Sequence, residues 1–149
     1  MELKYEFYIL ADKAKVWNAL VSPEGTKSAF FGCVIRSSFK EGEPLAYVGP
    51  GVDGDETVHV YGTVLACEPQ QKLSFLEHPG PSYNEKHAEL ESRVTVTLET
   101  VGSCTKLALI NDNFTPGHPS IERAEQAWWM VLSSIKTFAE TGKTLDFGW

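Results

Sequence analysis

Gly49-Pro50-Gly51-Val52-Asp53-Gly54 spells Gly-x-Gly-x-x-Gly, a backbone pattern that cradles pyrophosphate when it leads from a strand into a helix. Here Asp55-Glu56-Thr57 and a β-rich run follow instead, so the segment reads as an acidic loop. Asp53, Asp55, Glu56 and His59 bring carboxylates and an imidazole together, but hard cations need more oxygen ligands at fixed spacing, and no metal site is expected. The four histidines, His59, His78, His87 and His118, form no pair at metal-binding helical spacing, and no Gly-x-Ser-x-Gly nucleophile accompanies them. The expectation is therefore no catalytic constellation and no cofactor. His59 alternates with valines and faces either water or a cavity. Arg93 and Asp112 fall in strand-like runs and pose the same question. Pointing inward unpaired, either charge would cost several kcal/mol, so it would require a partner, water or a polar ligand.

A chain of 149 residues, 42% hydrophobic and 22% charged, fits one globular domain over residues 1–149. A net charge of −7 argues against nucleic acid, whose phosphates require clustered Lys and Arg. Cys33, Cys67 and Cys104 are odd in number and widely spaced, which excludes a disulfide framework and fits thiols in a reducing compartment. Met1-Glu2-Leu3-Lys4-Tyr5 lacks the apolar block of a signal peptide, and no apolar run approaches a membrane span. A cytoplasmic location is the expectation. The sequon Asn113-Phe114-Thr115 then has no consequence.

Residue periodicity supplies the elements that must position any site. Leu3, Tyr5, Phe7 and Ile9 alternate with polar residues, as in a strand with one buried face. Asp12 caps a short helix carrying Val16, Trp17 and Leu20, and Ser22-Pro23 opens a second helical piece ending near Phe30-Phe31-Gly32. Three hairpins follow: Cys33 to Phe39 with Pro44 to Val48, Thr57 to Ala66 with Leu73 to Glu77, and Arg93 to Thr100 with Thr105 to Asp112. Val58, Val60 and Val64 share one face in this reading, opposite His59, Tyr61 and Thr63. Segments 49–56 and 79–86 read as loops at one rim. From Ser120 to Thr141, Ile121, Ala124, Trp128, Val131, Leu132, Ile135, Phe138 and Ala139 form one helical stripe. Ser120 is placed to cap it, Glu122 and Glu125 suit its positive end, and Gly142 ends it. Such a helix is roughly 33 Å long, enough to cross about seven strands spaced ~4.8 Å apart. One helix across a strongly curved sheet leaves volume unfilled.

This order of elements resembles the START-like, or SRPBCC, helix-grip superfamily, and its local motifs resemble the branch named for activators of the Hsp90 ATPase. The resemblance runs from Val16-Trp17-Asn18-Ala19-Leu20 with Ser22-Pro23-Glu24 and Phe30-Phe31-Gly32, through Tyr61-Gly62-Thr63-Val64, Glu68-Pro69 and Leu73-Ser74-Phe75. It continues through Thr105-Lys106-Leu107 to Trp128, Leu132, Ile135 and Glu140-Thr141-Gly142-Lys143. It implies an α+β helix-grip fold: a curved antiparallel sheet of about seven strands, two short helices after strand one, and a long C-terminal helix gripped by the sheet. Phe30 stands where the family usually has Trp. Asn111-Asp112-Asn113-Phe114 stands where His-x-Gly-Phe is frequent. The full co-chaperone also has a separate chaperone-engaging domain, which a chain of 149 residues is not expected to accommodate.

Within that fold the aromatics converge. The expected ligand-binding set is Phe30, Phe31, Tyr47, Tyr61, Phe75, Arg93, Asp112, Phe114, Trp128 and Leu132, around a cavity between sheet and helix; Trp129 adds to the aromatic wall. Core packing accounts for any one aromatic alone, at roughly 1.5 to 3 kcal/mol each. As a set they point to noncatalytic binding of a small apolar or aromatic molecule. One alternative is a cyclase- or hydrolase-like enzyme using Tyr61, His59, Arg93 or Asp112. Another is a chaperone-partner module, carried by the family name. A homodimer through an edge strand or exposed aromatics is compatible with the sequence.

Overall fold

The computed structural model describes residues 1–148. Its elements are β1 (Leu3–Ile9), α1 (Lys13–Val21), α2 (Pro23–Ala29), β2 (Val34–Ser37), β3 (Pro44–Pro50), β4 (Glu56–Glu68), β5 (Lys72–Pro79), β6 (Ser92–Val101), β7 (Cys104–Asp112) and α3 (Ile121–Thr141), with a 3₁₀ turn at His87–Glu89. The seven strands form one antiparallel sheet in the order β1-β7-β6-β5-β4-β3-β2. The chain starts at one edge, crosses through α1 and α2 to the other, and meanders back until β7 pairs with β1. This is the expected helix-grip architecture, a curved open sheet with its long helix last.

The elbow is close-packed by residue choice. Asp12 caps α1 by accepting from Lys15 N–H, and Ser22 caps α2 through Gly25 N–H. Gly25 lies so near α1 that a Cβ there would meet the Ala19 backbone at 2.5 Å. The buried Thr26 hydroxyl accepts from Ile35 N–H at 3.1 Å, tying the elbow to β2. α2 ends with Gly32 N–H donating to Lys27 O while Phe31 takes φ 54°, the left-handed position that glycine usually fills. Phe31 itself is 48% exposed.

Curvature is concentrated in β4. Its pairing shifts register twice, at His59 against β3 and at Leu65 against β5, and each bulge bends and twists the strand. Between them Gly62 passes the β5 backbone so closely that a Cβ would sit 1.6 Å from Leu76 O. The first bulge also breaks the alternation read from sequence. Val58, expected beside Val60 and Val64, is 37% exposed.

α3 lies against α1, α2 and β1 with Val131, Leu132, Ser134 and Ile135 buried, and Gly142 ends it in the left-handed conformation. Its first turn departs from expectation: Ser120 holds the N-cap position, yet its side chain makes no capping bond. At the other end Glu140 accepts from Leu10 N–H at 2.7 Å and pairs with Lys136, which also donates to Tyr8 O. Those bonds fasten the helix end to β1.

Candidate functional site

Between the sheet, the elbow and the first half of α3 lies a cavity of about 440 Å³, within the size range of small-molecule sites. Its existence follows from side-chain size: where α3 faces the open end of the trough it presents Ala124 and Ala127, and the gap they leave is not filled from the sheet. Phe30, Tyr47, Phe75 and Trp128 make the floor. Phe30 lies tilted against Tyr47 at 4.7 Å and meets Trp128 edge-on at 6.3 Å, and Tyr47 lies 6.3 Å from Phe75. Beneath this floor the remaining space is about 10 Å³, so the packed core begins there.

The mouth is polar. Pro50, His59 and Tyr83 bring together the two rim loops anticipated from sequence. His59 Nε2 can only donate to the Pro50 carbonyl, at 3.0 Å, so in the neutral ring Nδ1 accepts from the Tyr83 hydroxyl. His118, Ser120 and Arg123 border the opposite side. Burial holds the His118 imidazole below its ordinary pKa.

One carboxylate faces this apolar space. Glu77 falls in phase with Leu73 and Phe75 on the inner face of β5, and Ser92 Oγ donates to its Oε1 at 3.3 Å. Burial pushes the Glu77 carboxyl up to about 7, against the smaller downward pull of that hydrogen bond. The neighbouring Tyr47 hydroxyl is also raised, first by burial and then by the charges of Glu77 and Cys33. Behind Glu77 a hydrogen-bonded chain runs through the core: Trp128 Nε1–H to Asn111 Oδ1 at 3.1 Å, and Asn111 Nδ2 to Ser92 Oγ at 3.0 Å and to Arg93 O at 2.9 Å. Asn111 and Ser92 are fully enclosed, at 0% and 1% exposure.

Of the ten residues expected at the site, the structure brings Phe30, Phe31, Tyr47, Phe75 and Trp128 to the cavity. The other five lie elsewhere. Arg93 and Asp112 are opposed on β6 and β7 and form a two-pronged ion pair, 2.9 and 2.7 Å, on the face away from the buried Val94 and Asn111. The pair raises the guanidinium and lowers the carboxylate in pKa, so neither charge needs a cavity partner. Tyr61 is on the outer face of β4, stacked on His78 at 5.0 Å and hydrogen-bonded to His87 Nδ1 at 2.5 Å. Leu132 is sealed in the core, and Phe114 packs edge-on against His118. Trp129 is outside as well, 53% exposed and edge-on to Tyr5 at 4.9 Å.

Sequence reasoning missed Glu77 and the chain behind it. The signal was there: Leu73, Phe75 and Glu77 share one parity, so an inward carboxylate followed from the strand itself. Asn111 shows the same logic, sharing one face of β7 with the buried Leu107 and Leu109.

Among the described residues no group of three or more His, Cys, Asp or Glu is arranged to hold a metal ion. Among the same residues no helix is long and apolar enough to cross a membrane.

Comparison with known proteins agrees with this architecture. No curated protein matches the chain. Among solved structures, ChR145 from Cytophaga hutchinsonii is similar at 26% identity, with a TM-score of 0.72 over 93% of this chain and 92% of that one. The Aha1 dimer from Colwellia psychrerythraea shares the fold at 19% identity and TM-score 0.70, covering 96% and 98% of the two chains. CalU16 from Micromonospora echinospora does so at 19% identity and TM-score 0.70, over 95% of this chain and 77% of that one. The family model described as activator of Hsp90 ATPase homolog 1-like protein matches residues 11–140, and the chain belongs to that family.

Proposed function

We propose that the protein is a noncatalytic receptor for a small apolar or aromatic molecule, held between the sheet and α3. The observation that carries this reading is the 440 Å³ cavity with its four-ring floor, opened where α3 presents Ala124 and Ala127 to the trough. Aromatic surface at the floor supplies the apolar contact. The Tyr47 hydroxyl, which makes no hydrogen bond among the described residues, and the Glu77 carboxyl supply orientation.

A catalytic reading needs two or more reacting groups within reach of one substrate atom. Of Tyr61, His59, Arg93 and Asp112, only His59 borders the cavity, and both of its ring nitrogens are engaged.

The test is thermal and fluorimetric. A panel of neutral one- and two-ring compounds is titrated into the wild type and into Ala127→Trp, whose added ring occupies the hollow. A binding compound at 100 times its dissociation constant should stabilise the wild type by about 2.7 kcal/mol, and the filled variant by much less. Equal responses in both proteins, or none in either, would remove the receptor reading.

A further inference from the structure

We propose that the occupant of this cavity carries a nitrogen that donates hydrogen bonds, in its favoured form a protonated amine on an apolar body, seated against Glu77 and the aromatic floor. This rests on the receptor reading and specifies the chemistry of its guest.

The direction of the hydrogen bonds behind Glu77 carries the inference. An indole N–H can only donate, so Trp128 fixes the Asn111 amide with its oxygen toward the ring. Both Asn111 amide hydrogens are then committed, one to Arg93 O and one to Ser92 Oγ. Ser92 therefore accepts from Asn111 and must direct its own hydrogen at Glu77 Oε1. Every donor in the chain points the same way, and the chain terminates on Glu77 as an acceptor. Protonating Oε1 would break that order.

The second carboxylate oxygen, Oε2, makes no hydrogen bond among the described residues and belongs to a side chain that lines the cavity. In the ionised carboxylate it is a vacant acceptor. Beside it, Phe30, Tyr47, Phe75 and Trp128 present ring surface, and aromatic faces within about 6 Å attract cations. An aromatic floor with one carboxylate is complementary to an organic cation and repels a carboxylate guest. Arg123 and His118 lie toward the start of α3, at the mouth, where they leave the floor's polarity unopposed and meet whatever part of the guest projects outward.

Three probes of matched shape test this: methylnaphthalene, naphthylmethylammonium and naphthoate. Dissociation constants are measured by tryptophan fluorescence at about pH 8 for the wild type, Glu77→Gln and Glu77→Leu. The ammonium probe should bind the wild type at least about tenfold more tightly than the neutral hydrocarbon, with naphthoate weakest, as a charge-assisted hydrogen bond requires. Both variants should lose that preference, binding the ammonium probe no more tightly than methylnaphthalene. Equal binding of hydrocarbon and ammonium to the wild type, or a preference that survives in Glu77→Leu, overturns the amine proposal and leaves the receptor standing. If none of the three probes binds any of the proteins, both fall.

Discussion

Glu77 is where residue chemistry and fold are in tension, because its strand parity places a carboxyl in a space otherwise walled by rings. With its native pKa raised from 4.5 to about 7, the folded protein holds the proton more tightly than the unfolded chain. The slope of unfolding free energy with pH is then negative between those values. The stabilising contribution is fully present below about pH 4.5 and is lost as pH rises through about 7, amounting to up to about 3 kcal/mol. Asp112 and Glu140, whose pKa values are lowered by Arg93 and by Leu10 N–H with Lys136, act in the opposite sense and lose their contribution only as pH falls below the ordinary carboxylate range. Urea denaturation of wild type and Glu77→Gln at pH values between about 5 and 8 separates these effects. The variant should gain on the wild type by about 1–3 kcal/mol across that window, and a constant difference would contradict the assignment.

At the scale of elements, the elbow and the bulged strand set the cavity's shape. Gly25 allows α1 and α2 to touch through backbone, which holds Phe30 over Tyr47. Gly25→Ala must push the helices apart and should cost about 1–3 kcal/mol, with no rescue from higher helix propensity; thermal unfolding that leaves the midpoint unchanged would show that the contact is dispensable. The elements themselves were largely legible in the chain. Leu3 to Ile9, the three hairpins and the stripe from Ile121 to Ala139 announce their class by period alone, because burial of one face imposes it. Bulges do not. Nothing in Val58-His59-Val60 signals an extra residue, since a bulge is imposed by the partner strand, and so His59 reaches the cavity mouth and Val58 turns to solvent. Tyr61 is a different case. Alternation between Val60 and Gly62 puts it outside, and only its aromatic character argued for the wall. Arg93 and Asp112 find each other across β6 and β7, a pairing that depends on register between segments about twenty residues apart. The small side chains of Ala124 and Ala127 were visible on the helix, but that they form a hollow depends on what faces them.

For the whole molecule, sheet curvature and a helix of uneven side-chain size leave one end of the trough solid and the other hollow. Ile9, Leu107, Leu109, Leu132 and Ile135 are fully enclosed and make the solid end. The aromatic floor divides it from the 440 Å³ cavity, and the rim loops with the start of α3 frame the entrance. Family membership places this architecture among activator of Hsp90 ATPase homolog 1-like proteins, and the Aha1 neighbour from Colwellia psychrerythraea is a dimer. The central claim is that the hollow receives a small molecule. Its most direct test is nuclear Overhauser spectroscopy of the protein with methylnaphthalene or its ammonium analogue. The account predicts contacts from the probe to ring protons of Phe30, Tyr47, Phe75 and Trp128, with a shift of the Trp128 indole N–H. Contacts confined to the exposed Trp129 and Tyr8, with the Trp128 resonance unmoved, would contradict it.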